Sequence, residues 1–170
     1  LIDKTTLLYE RFSVPLAQIG CPHISEAFIG RLNDFYLSTL SSLPDLMPWG
    51  RELLEYLSSK GYQINAVSNG FISTQERKLN AAGVRHFISN LIISEEVGYT
   101  KPMKEIFDIA VRQCCCLPCE VVMSGDNFDA DIKGARNAGW HTIFFNPNDK
   151  PSGPEAEATV SSVDQVVNYL

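Results

Sequence analysis

Two aspartates, a lysine and a serine are placed in this chain where strand tips are expected. The apolar run Val121-Val-Met123 reads as a buried strand that stops at Ser124-Gly125, with Asp126 just past its end. The acidic cluster Asp129–Asp131 then opens a helix rich in small residues (Gly134, Ala135, Ala138) that ends at Gly139. A carboxylate at a strand's C-terminal tip, beside a helix N-terminus, is the usual ligand position in an open α/β sheet. Asp126 and Asp131 flank the turn and can converge on one point. Two hard oxygen donors there suit Mg²⁺, which takes one or two carboxylates, water and substrate phosphate. Asp129 is better read as a cap or a partner of the helix dipole. Asp126 has no such duty, and a carboxylate following a buried strand is costly without a cation or donors.

Two further tips carry polar groups. Ser68-Asn69-Gly70 offers a hydroxyl and two backbone N–H groups that can hold an anion, although the same residues serve equally as a simple turn. Lys101-Pro102 follows Glu95-Glu-Val-Gly-Tyr-Thr, so an ammonium and helix N-terminal donors can face one phosphate. Alone, a lysine there is usually just solvated. The order and matching placement of the three tips make a phosphate-plus-Mg²⁺ set.

The elements that must position these groups alternate. Residues 1 to about 43 read as helical. Asp3 can cap a helix starting at Lys4, which Pro15 kinks or ends, and a second helix runs from about Ser25 to Leu40. Leu43-Pro-Asp-Leu-Met-Pro48 is a connector. Helices are then expected over about Gly50–Ser59, Ser73–Ala82, Pro102–Gln113, Asp129–Asn137 and Val163–Leu170. Strands are expected over Tyr62–Ser68, Leu91–Ile93, Val121–Ser124 and His141–Phe145. This succession implies an α/β fold, a Rossmann-like parallel sheet with helices on both faces. Gln63 and Asn65 are unusually polar for a central parallel strand.

Composition bounds the partners. The 170 residues carry a formal net charge of -6 with scattered Lys and Arg, which argues against a nucleic-acid-binding face. No apolar run approaches a membrane span. No signal peptide is visible, so a cytoplasmic location is the default expectation, weakened because the chain begins with Leu1 and not Met. Four of the five cysteines are bunched in Cys114-Cys-Cys-Leu-Pro-Cys119, which contains a C-x-x-C. Zinc would want a matching second pair, which the chain lacks, and an odd count argues against a disulfide framework.

Ser68-Asn-Gly70, Lys101-Pro102 and Gly125-Asp126 through Asp131 resemble motifs two, three and four of the haloacid dehalogenase superfamily. The resemblance runs from about Leu46 to Pro147. Met47-Pro-Trp-Gly-Arg-Glu-Leu-Leu-Glu-Tyr-Leu57, Ser94-Glu-Glu-Val-Gly98, Lys101-Pro-Met-Lys-Glu-Ile-Phe107 and Phe145-Asn-Pro147 are similar to the branch of pyrimidine-type 5′-nucleotidases and related phosphatases. It implies a partial helical cap over residues 1–45 and an α/β core over 46–170. It implies that Ser68, with the Asn69 N–H and Gly70, holds the transferring phosphoryl group, and that Lys101 neutralises it. Asp126 would bind Mg²⁺, with Asp131 completing the site. The implied chemistry is phosphoryl transfer to an aspartate followed by hydrolysis, on a small phosphomonoester such as a nucleoside monophosphate.

The superfamily's first motif, an apolar strand ending in Asp-x-Asp-x-Thr/Val, supplies the nucleophile and has no counterpart here. Asp3-Lys-Thr5 reads as a helix cap, Asp34 sits on an amphipathic helix and Asp45 in a connector. The expectation is therefore an N-terminally truncated chain, inactive alone, whose sheet lacks the strand between those ending at Ser68 and Ser124. At about 1 kcal/mol net per lost hydrogen bond, that gap would take much of a typical stability of about 5–15 kcal/mol. Two alternatives remain. One is a non-catalytic remnant that binds phosphate or a partner. The other is a haloacid dehalogenase, disfavoured because Gly125-Asp126 stands where those members typically carry Ser-x-Asn.

Overall fold

A computed structural model describes residues 4–170, and the expected Asp3 cap lies outside them. The chain divides into two compact units, parted between Leu43 and Pro44.

The first unit is a helical hairpin. Helix α1 (Lys4–Gln18) runs through Pro15 instead of stopping there. Helix α2 (Glu26–Ser42) starts at Ser25, whose side chain accepts from the Phe28 N–H. Its buried Asn33 donates to the carbonyls of Leu8 and Ile29, at 2.5 and 3.1 Å, and so pins the two helices together. Phe12 meets Tyr36 edge to face at 5.7 Å.

The second unit is α/β. Its helices are α3 (Gly50–Ser59), α4 (Ile72–Ala81), the short α5 (Ser94–Val97), α6 (Lys104–Cys114) and α7 (Gly134–Asn137). Its strands are β1 (Ile64–Ser68), β2 (Ile88–Ile93), β3 (Val122–Gly125), β4 (His141–Phe145) and β5 (Ala158–Val160). All pairings are parallel, as expected of strands joined through helices. They form two sheets, β1-β2 and β3-β4-β5. The strands facing the gap, β1 and β3, have not closed upon each other. No residue of either is fully buried, and Val122, expected inside a buried strand, is exposed. Each therefore keeps one edge of N–H and C=O groups without a strand partner among the described residues.

Two apolar clusters hold the sheets to their helices. Ile92, Ile106, Phe107, Ala110, Ala135, Ala138 and Trp140 join β2, α6 and α7, with Phe107 edge-on to Trp140 at 5.2 Å. Ile143, Ala158, Val160 and Val166 form the second, against Leu53 and Phe145. Gly134 is obligatory for the first. A Cβ there would lie 2.7 Å from the Phe107 ring and 3.0 Å from Pro102 Cα, so the helix carrying the acidic residues packs directly on the Lys101-Pro102 loop.

Several boundaries differ from the sequence reading. Helix α6 begins at Lys104, not at Pro102. The helix expected over Asp129–Asn137 is a π-helical turn, Phe128–Lys133, that passes into α7. The C-terminal segment is 3₁₀ over Val163–Tyr169, and β5 was not anticipated.

Candidate active site

Lys101 is the hub of the site. Its Nζ donates to the Val67 carbonyl of β1 at 2.7 Å and pairs with Asp131 Oδ1 at 2.6 Å. The two side chains are 11% and 6% exposed, so the ion pair is largely withdrawn from water. An ammonium has three donors. Two are engaged within the protein, which leaves one N–H for a ligand.

Asp131 is fixed from its other oxygen as well, since Oδ2 accepts from the Asn127 backbone N–H at 3.1 Å. The π-turn aims it back over the end of β3. There its carboxylate lies where a Cβ on Gly125 would stand, 2.5 Å away, so only glycine fits at position 125. Capping of the turn falls to Asn127, whose Oδ1 accepts from the Ala130 N–H at 3.0 Å. Asp129, expected as the cap, instead pairs with Lys133 at 2.7 Å on the surface.

The β1 tip is tied to the Lys101 loop by one side chain. Asn69 Oδ1 accepts from the Lys101 N–H at 2.7 Å and its Nδ2 donates to the Lys101 carbonyl at 2.9 Å. The Ser68 hydroxyl accepts from the Gly70 N–H at 3.1 Å, so that N–H is engaged in the turn itself.

Lys101, Asp126 and Asp131 line one cleft of about 450 Å³, with Ile64–Val67 of β1 along one wall and Val122–Gly125 of β3 along the other. Three of the four key residues picked from the sequence thus share a cavity. Ser68 directly follows Val67 but does not line the cleft. Sequence reasoning missed the Val67 carbonyl, the Asn127 N–H and the Asn69 side chain as fixing groups.

The donor set fits a hard divalent cation. Asp126 is exposed into the cleft and its carboxylate has no hydrogen-bond or ion-pair partner among the described residues. Asp131 keeps lone pairs beyond those used by Lys101 and Asn127. Mg²⁺ asks for no more than one or two carboxylates from the protein.

The sequence profile of the haloacid dehalogenase-like hydrolases matches residues 22–139. The chain belongs to this family. It is 33% identical over 144 residues to the pyrimidine 5′-nucleotidase YjjG of Escherichia coli, covering 83% of this chain and 64% of that protein. It is 43% identical over 90 residues to the glyceraldehyde 3-phosphate phosphatase of Methanothermobacter thermautotrophicus, covering 53% of this chain and 40% of the relative. The chain thus spans between two fifths and two thirds of the length of these relatives. Among solved structures, the HAD-hydrolase YfnB of Bacillus subtilis, bound to magnesium, superposes with a TM-score of 0.88 at 25% identity, over 99% of this chain and 73% of that one. No helix among the described residues is long and apolar enough to cross a membrane.

Proposed function

We propose that this chain carries the phosphate- and metal-binding half of a Mg²⁺-dependent phosphomonoester hydrolase. The observation that carries the reading is the Lys101–Asp131 pair, held beside Asp126 in a cleft walled by two unpaired strand edges. Lys101 supplies fixed positive charge where a phosphoryl group gathers negative charge, the kind of preorganised electrostatic term that dominates such reactions. Asp131 and the Val67 carbonyl hold that ammonium in place. Asp126 and Asp131 would hold the ion, whose chemistry is to neutralise and orient phosphate oxygens. The Ser68 hydroxyl and the Asn69 N–H, which follow Val67 outside the cleft lining, would donate to the same group once it is bound.

The nucleophile comes from elsewhere in this reading. An apolar strand ending in Asp-x-Asp, seated parallel between β1 and β3, would pair both open edges and bring its first carboxylate to the cleft. The two edges and the residues between them support this. Without such a strand the chain does not turn over. The substrate is a small phosphate ester, and a nucleoside monophosphate is favoured by the likeness to the E. coli nucleotidase over most of this chain.

The test compares this chain with the same chain preceded by an apolar strand ending in Asp-x-Asp. Each is assayed on p-nitrophenyl phosphate, uridine monophosphate and glyceraldehyde 3-phosphate, with and without Mg²⁺. The chain alone should be inert. The extended chain should release phosphate only with Mg²⁺, and Lys101→Met should abolish that release. Turnover by the chain alone, or metal-independent halide release from a 2-haloacid, would defeat the proposal.

A further inference from the structure

The helical hairpin has a cavity of its own, of about 480 Å³, lined by residues of α1 and α2. Its size is that of a small-molecule site. Asn33 lines it and is 5% exposed. Both hydrogens of the Asn33 Nδ2 are spent on the Leu8 and Ile29 carbonyls. The Oδ1 is left as a buried acceptor with no donor among the described residues, and a buried polar atom of this kind asks for one. Three carboxylates line the same cavity, Glu10 of α1 and Glu26 and Asp34 of α2. None of the three has a hydrogen-bond or ion-pair partner among the described residues. No Lys, Arg or His lines the cavity with them. The hairpin's two arginines are turned to aromatic rings instead, Arg11 over Tyr36 at 5.3 Å and Arg31 over Phe28 at 5.8 Å. Leu8 and Ile29 supply hydrocarbon wall. Gly30 supplies width, because a Cβ there would meet nothing within 4 Å, although glycine inside a helix is less stable than alanine.

We infer that this cavity binds a small aliphatic polyammonium, a molecule of the spermidine type. One ammonium donates to Asn33 Oδ1, the others pair with the carboxylates, and the methylenes lie on Leu8 and Ile29. An ammonium brings N–H donors and no acceptor, which is what an unpaired amide oxygen among carboxylates can use. A metal ion fits less well. A divalent cation needs its oxygen ligands gathered at one point, and the described residues hold no group of three or more His, Cys, Asp or Glu that could hold a metal. Carboxylates that share a cavity without converging match charges strung along a chain. The site lies wholly within the first unit, so it stands or falls apart from the phosphatase reading of the second.

The experiment titrates the folded 170-residue chain with spermidine by calorimetry at about 0.15 M salt. One site per chain is expected, and n-butylamine, with a single charge, should bind at least about tenfold more weakly. Glu10→Gln, Glu26→Gln and Asp34→Asn remove exposed charges and should keep the fold. Each should weaken binding about threefold, and the triple variant about 20-fold if the effects add. Glu52→Gln/Glu55→Gln/Glu105→Gln removes the same charge from the second unit and should bind as the parent does. Gly30→Leu fills the cavity and should abolish binding while Tm holds or rises. In ¹⁵N NMR the Asn33 side-chain amide should shift on saturation. Equal losses in the two triple variants would reduce the effect to net charge and overturn the site. Undiminished binding by Gly30→Leu, an unmoved Asn33 amide, displacement of spermidine by Mg²⁺ at matched ionic strength, or no binding by the folded parent would overturn it as well. Circular dichroism of each variant separates lost binding from lost folding.

Discussion

Asp131→Asn tests whether the Lys101–Asp131 pair is a buried charge pair on which the second unit depends. At 2.6 Å and an effective dielectric of about 20, the attraction is about 6 kcal/mol before desolvation is subtracted. Removing one partner of a buried pair typically costs about 3–5 kcal/mol, because the other charge is left stranded. Here the exposures of 11% and 6% are small but not zero, and the Val67 carbonyl still receives Nζ. The expected loss is therefore at the lower end, about 3 kcal/mol. Urea unfolding of the parent, Asp131→Asn, Lys101→Met and the double variant, followed by circular dichroism, yields the coupling directly. It should be about 2 kcal/mol, within the range for residues in contact. If Asp131→Asn unfolds at the parent's urea midpoint, or the two substitutions are simply additive, the pair is not buried and Lys101 is not preorganised.

Three other outcomes follow from the same structure. Gly134→Ala should destabilise by about 1–3 kcal/mol through overpacking on Phe107 and Pro102, visible as a lowered Tm. Asp126→Asn should leave the unfolding free energy within about 0.5 kcal/mol of the parent, since the residue is exposed, while calorimetric Mg²⁺ binding falls at least about tenfold. Glu157 is held below its ordinary 4.5, chiefly by the hydrogen bond with His141 and further by the charges of His141 and Arg136. A carboxylate whose folded pKa is depressed stabilises above its unfolded pKa, and that contribution fades as pH falls through the folded value. Stability curves of Glu157→Gln and the parent should therefore differ at neutral pH and converge in acid. Curves that stay parallel into acid would exclude the linkage.

Strand-tip chemistry was legible because it is local. Gly125-Asp126 directly follows the apolar run Val121–Met123, and Lys101 stands in the loop eight residues past the run Leu91–Ile93. What holds them was not legible, because it is non-local. The Val67 carbonyl reaches Lys101 across 34 positions and the Asn69 amide reaches it across 32. No pattern within a window of one helix or strand encodes such a pairing. Strand β5 escaped notice because Ala158-Thr-Val160 is too short and too mild to stand out from the Pro/Gly-rich loop before it. Pro15 misled because proline is a propensity signal, and the α1–α2 packing through Phe12, Tyr36 and Asn33 overrides the loss of one ladder bond. The polarity of Asn65 was noticed yet had no meaning until Asn90 was found opposite it.

The Asn69 latch also sets a clock on the molecule. Asn69 precedes Gly70, the neighbour that least obstructs attack of the next backbone nitrogen on a side-chain amide. While the latch is closed, Oδ1 and Nδ2 are both engaged by Lys101 and the Gly70 nitrogen is turned toward Ser68. Folding thus shields a residue that ageing would otherwise convert to aspartate. Once converted, the donor that met the Lys101 carbonyl becomes an oxygen facing an oxygen. Protein held unfolded for long would carry that scar as an acidic isoform unable to fasten its two loops.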